Sequence, residues 1–92
     1  MKNFLEGCPD KSSKTASRII DGEAVIVIPE KGVVNILNQV GSRIWELLDG
    51  KKKLQDIALI ISREFEAAYE AVCQDVEEFT QELSKKGLIT FN

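Results

Sequence analysis

The chain has no histidine, only two cysteines and a single tryptophan. Without histidine there is no imidazole base, and neither a Ser–His nor a Cys–His nucleophile pair can be assembled. Two cysteines alone cannot complete a four-ligand zinc site without recruiting carboxylates. Cys8 and Cys73 lie far apart and read as free thiols, Cys8 in a loose tail and Cys73 as a small half-buried residue. A phosphate-cradling glycine loop is also missing. The expectation is a non-enzyme with no metal and no cofactor. No apolar run is long enough to span a bilayer, and no signal-peptide core follows Met1, so the chain is expected to be cytoplasmic with no membrane partner. Basic residues are few: 12 Lys and Arg against 15 Asp and Glu leave a net charge of -3, which argues against a nucleic-acid partner.

What is present suits a small folded protein. Hydrophobic residues make up 43% and charged residues 29% of 92 positions, enough for one domain with a thin stability margin. Residues 1–13, "MKNFLEGCPDKSS", are polar and aperiodic and are read as a flexible arm, leaving residues 14–92 as a single domain. Three strand candidates follow. "KTASRII" runs into Asp21 and Gly22, a pair suited to a tight hairpin turn. "EAVIVI" stops at Pro29, and after "PEKG" the run "VVNIL" returns as a third strand. Two successive hairpins make an antiparallel meander. Its second and third strands are apolar on both faces, so each face is covered or one awaits a partner.

Asn38 is placed to cap a helix whose residues Val40, Ile44, Leu47 and Leu48 share one face, with Asp49 and Gly50 ending it. After a solvated "KKK" connection, Leu54, Ile57, Ala58, Ile61 and Phe65 form a second stripe. Tyr69, Val72, Val76, Phe79 and Leu83 form a third, which stops at Lys85, Lys86 and Gly87. "LITF" adds a short closing strand. A continuous helix over residues 54–86 would be about 50 Å long at 1.5 Å per residue, too long for this chain to cover, so a break near Ala67 and Ala68 is expected. The predicted fold is α+β: a winged helix-turn-helix domain in which a three-stranded antiparallel sheet is followed by three helices.

That order invites a DNA-binding reading, but the chemistry opposes it. The third helix has no Lys or Arg between Glu64 and Lys85, and Glu66, Glu70, Asp75, Glu77, Glu78 and Glu82 form a solvated acidic face. Peptide binding fits better. An exposed strand edge offers unpaired N–H and C=O groups to an extended peptide. If the third strand is such an edge beside the third helix, Val34 and Ile36 form one wall of a groove, and Cys73, Val76 and Thr80 the other.

The segments "GVVNILNQVGSRIWELLDGKKKLQDIALIISREF" and "VCQDVEEFTQELSKKGLI" resemble the pyrroloquinoline quinone biosynthesis protein D family, the leader-peptide recognition element of ribosomally made, modified peptides. The resemblance rests on Leu37 and Asn38, Gly41, Ile44 and Trp45, and the run Leu47, Leu48, Asp49, Gly50. It continues through Ile57, Phe65, Asp75, Val76, Phe79, Leu83, Gly87 and Leu88, over roughly residues 17–91. Lys53, and Ala68 with Tyr69, stand where relatives carry helix caps such as Thr and Asp-Pro. The resemblance implies a non-catalytic peptide chaperone. Such a protein binds the leader of a precursor peptide by strand addition and presents it to a modifying enzyme such as a radical SAM enzyme, a cyclase or a peptidase. Carried over by position, the binding residues would be Val33, Val34, Asn35, Ile36 and Leu37 with Cys73, Val76, Glu77 and Thr80. Leu37, Ile44, Trp45 and Leu48 are expected in the core. The chain would be a monomer or weak homodimer; the alternative is a small helix-turn-helix regulatory or dimerisation protein.

Overall fold

Local turn chemistry explains most of the architecture. The computed structural model of the chain describes residues 4–91. A 3-10 turn at Phe4–Glu6 is followed by strands β1 (Pro9–Lys11), β2 (Ala16–Ile20), β3 (Glu23–Ile28) and β4 (Val33–Ile36). Helices α1 (Gln39–Leu47), α2 (Leu54–Glu64) and α3 (Tyr69–Lys85) come next, and strand β5 (Ile89–Phe91) closes the chain. Strands β2, β3 and β4 form the expected antiparallel meander with β3 in the centre. Asp21 (φ 51°) and Gly22 (φ 79°) are both left-handed and join paired residues Ile20 and Glu23 in a two-residue turn of the type that matches strand twist. Residues 29–32 make the second turn, closed by the Gly32 N–H donating to the Ile28 carbonyl at 2.9 Å.

Alternation along β3 sorts the two faces of this sheet. Ala24, Ile26 and Ile28 are buried toward the helices. Val25 pairs with Ile36 and Val27 with Val34, so these four side chains share the opposite face. Among the described residues no helix covers that face: Val34 is 58% and Ile36 66% exposed. Of the two outcomes open to a sheet with two apolar faces, the chain leaves the outer face bare.

The Asn38 side chain caps α1 as expected, accepting from the Gly41 N–H at 2.8 Å. Ser42 fastens this helix to the sheet: its Oγ accepts from the Ala24 N–H at 2.6 Å and donates to the Leu37 carbonyl at 3.2 Å. Ile44, Trp45, Leu47 and Leu48 are buried, and the Trp45 Nε1–H donates to Ser17 Oγ at 3.1 Å. The connection over residues 51–53 is organised by Asp49. Its carboxylate accepts from Lys52 Nζ at 2.7 Å and from the backbone N–H groups of Lys51 and Lys52. These bonds hold the Asp49 carboxyl well below the usual carboxylate range, the Lys52 side chain contributing most.

The break between α2 and α3 falls where expected, but without glycine. Glu66 takes the left-handed conformation (φ 52°), and the Ala67 N–H reaches back to the Ser62 carbonyl at 3.0 Å, a Schellman-type stop. At the end of α3 the same device uses Gly87 (φ 75°), with the Leu88 N–H donating to the Leu83 carbonyl at 2.9 Å. Neither Lys53 nor Ala68 provides a side-chain cap.

The amino-terminal segment corrects the sequence reading. Residues 1–3 and 92 lie outside the described residues, but residues 4–11 do not behave as a free arm. β1 pairs antiparallel with β5, Pro9 is fully buried, and the Phe4 and Phe91 rings meet at 5.2 Å. The Gly7 carbonyl accepts the Leu54 N–H at 3.0 Å, at the start of α2. The Lys11 Nζ donates to the Leu48 carbonyl at 2.6 Å and lies 5.5 Å from the Trp45 ring centroid, and burial lowers its pKa. The closing strand therefore belongs to a second, two-stranded sheet and not to the meander. Among the described residues, no helix is long and apolar enough to cross a membrane.

Candidate functional site: an open strand edge beside an apolar cavity

Among the described residues, β3 is the only strand hydrogen-bonded to β4. The Leu37 N–H donates to the Ala24 carbonyl at 2.9 Å, which fixes the phase of the ladder. In antiparallel pairing, main-chain groups turn inward at alternate residues. Asn35, opposite Ile26, and Val33, opposite Ile28, therefore direct their N–H and C=O groups to β3. Those of Val34 and Ile36 point away, to the open edge. The Asn35 side chain lies on the helix-facing side of the sheet, where its Nδ2 is buried without a partner. Such an unmet donor costs about 1–3 kcal/mol.

Next to the end of this strand is a cavity of about 520 Å³. Ile36, Leu37 and Asn38 line one side, Val40, Gly41 and Ile44 of α1 form its base, and Asp75 and Phe79 of α3 close it. Gly41 leaves room for this packing: a methyl group there would come within 3.1 Å of the Phe79 ring and 3.2 Å of the Asn38 side-chain oxygen, so both would have to shift. A glycine in the first turn of this amphipathic helix fits the close approach of an aromatic ring.

Among the residues expected to bind peptide, Ile36 and Leu37 reach the cavity, and Val33, Val34 and Asn35 continue the same strand. The expected residues of the third helix do not reach it. Val76 and Thr80 are completely buried, Cys73 is buried and Glu77 half-buried. The Thr80 hydroxyl is already used within its helix, donating to the Val76 carbonyl at 2.8 Å. Asp75 and Phe79 stand in their place, one position earlier and about 100° around the helix. Phe79 was legible as a stripe residue and Asp75 as a polar-face residue; Gly41 was the sequence signal that something packs closely there. Arg43 is engaged in a two-pronged pair with Glu64, Nε lying 2.9 Å from Oε2, which holds the Glu64 carboxyl below its usual value. No group of three or more His, Cys, Asp or Glu side chains that could hold a metal ion occurs among the described residues.

Residues 23–89 match the family described as coenzyme PQQ synthesis protein D (PqqD). A relative, the PqqA binding protein of Rhizobium meliloti (strain 1021), is 30% identical over 70 residues, spanning 76% of this chain and 69% of its own. The solved structure of TbiB1 in complex with the TbiA(beta) leader peptide has a TM-score of 0.80 at 32% identity, covering 87% of this chain and 93% of that one. A lasso peptide synthetase B1 complexed with the leader peptide shares the fold, with a TM-score of 0.81 at 17% identity over 90% of this chain and 98% of the other. With the family match running from the start of β3 into β5, the chain belongs to the coenzyme PQQ synthesis protein D (PqqD) family.

Proposed function

We propose that this protein is a non-catalytic binder of the leader segment of a ribosomally made precursor peptide, and that the leader joins β4 as an added strand. The observation that carries this reading is the open edge at Val34 and Ile36 beside the cavity between β4, α1 and α3. Main-chain pairing supplies affinity without regard to sequence, and the cavity supplies selectivity. The relatives support it: one is named for binding PqqA, and another was solved with a leader peptide bound. We read the sheet followed by three helices as a winged helix-turn-helix arrangement in which α3 serves peptide, not DNA, because its exposed face is acidic. A chain without histidine has little to offer as a catalyst, so modification of the peptide falls to a partner enzyme. That enzyme meets the leader as a fourth strand of the meander.

Amide chemical-shift mapping with a candidate precursor peptide tests this. Shifts should concentrate at residues 33–37 and 75–79. Shifts confined to the end of α1 and residues 51–53, with β4 silent, would place the partner elsewhere and end the strand-addition reading.

A further inference from the structure

Among the described residues, Asp75 is the only charged one lining the cavity. It is exposed, and its carboxylate has no hydrogen bond or ion pair among the described residues. The one cation of α1, Arg43, is bound to Glu64. Lys52 is bound to Asp49, and Lys11 to the Leu48 carbonyl at the far end of the same helix. α3 offers no Lys or Arg before Lys85, and it places Glu78 and Glu82 three and seven residues beyond Asp75, on the same side. The rest of the lining is largely apolar: Ile36, Leu37, Val40, Ile44 and Phe79. A cavity of about 520 Å³ has room for a bulky side chain and part of its neighbour.

Building on the peptide-binding reading above, we infer that the cavity selects a strand carrying a bulky apolar side chain with a Lys or Arg close by, and that Asp75 determines this specificity. The apolar side chain fills the space over Phe79 and Gly41. The cation pairs with Asp75 at the rim, where the bound peptide excludes water and strengthens the pair. An acidic residue at that place would meet Asp75, with Glu78 and Glu82 behind it, and be repelled. Basic, apolar leaders are thereby accepted and acidic ones rejected.

The experiment is a display selection with a randomised 14-residue peptide library against the wild-type chain, Asp75→Asn and Asp75→Lys, each first shown to melt as the wild type does. Wild-type selections should converge on a bulky apolar residue with Lys or Arg at fixed spacing. Individual peptides from that pool should bind Asp75→Asn about ten-fold more weakly, as for loss of a charge-assisted hydrogen bond. Asp75→Lys should instead select Asp or Glu at that spacing. Peptides that bind all three proteins with the same charge preference would overturn the role of Asp75 while leaving peptide binding intact. Failure of every protein to enrich any peptide would overturn the peptide-binding reading, and this inference with it.

Discussion

At one end of the molecule β1 is paired on both sides, by β5 and by residues 49–50, and at the other end β4 is paired on one side alone. The β5 edge is closed by β1, with the Ser12 N–H donating to the Leu88 carbonyl at 2.9 Å and Phe4 resting against Phe91. Lys11 extends the closure to Trp45 and the end of α1. The outer edge of β4 has unpaired main-chain groups at Val34 and Ile36; the described residues supply no strand for it, and a largely apolar cavity lies alongside. Unpaired edges invite aggregation and are commonly covered or blunted. Of the two edges of the meander, at β2 and at β4, the cavity borders the β4 edge alone, which is the observation that favours β4 as the place for an incoming strand.

The contrast can be broken most severely from the closed end. Replacing Trp45, which is fully buried between the sheet and Lys11, with Ala should destabilise the fold by about 3–5 kcal/mol. The fraction that remains folded should still bind peptide, because the indole does not line the cavity. Chemical denaturation with a parallel binding titration checks both parts. Wild-type stability with lost binding would move Trp45 from the core to the site.

The open end is tested by proline. Val34→Pro deletes an N–H that points away from β3, whereas Asn35→Pro deletes one that β3 uses. Val34→Pro should weaken peptide binding by at least about 1.4 kcal/mol, a factor of ten, and should lower the melting temperature less than Asn35→Pro does. A larger thermal loss in Val34→Pro than in Asn35→Pro would show that the ladder phase is reversed. A smaller effect is expected at Glu66, whose left-handed backbone stops α2 and sets where α3 begins. Glu66→Gly should stabilise the fold by about 1 kcal/mol by removing a strained side-chain position, with binding unchanged. A loss of stability would mean that this turn is held by the Glu66 side chain.

The strands and helices were legible because their signals are local. Alternation in "EAVIVI", the cap at Asn38 and the stripe from Leu54 to Ile61 each lie within a few residues. The β4 side of the cavity lies in a strand read from the same kind of local signal. On the α3 side the cavity is lined by Asp75 and Phe79, not by the residues expected there. An amphipathic pattern identifies an apolar line, here Tyr69, Val72, Val76, Phe79 and Leu83, but it does not say which of those residues, or of those beside them, border a groove. Which of them do depends on how α1 and α3 pack, and that is decided where Phe79 lies on Gly41. The closure of the amino terminus was hidden for a related reason. "PDK" carries no strand signal, and its pairing with Ile89–Phe91 joins the two ends of the chain.

Amide hydrogen exchange across β4, with and without a leader peptide, tests strand addition most directly. In the unbound protein the amides of Asn35 and Leu37 should be protected and those of Val34 and Ile36 should exchange freely. Adding the peptide should protect Val34 and Ile36 while leaving the others as they were, so that protection becomes continuous along the strand. If Val34 and Ile36 are protected before the peptide is added, or stay unprotected when it is bound, the leader does not pair with β4 and the account is wrong.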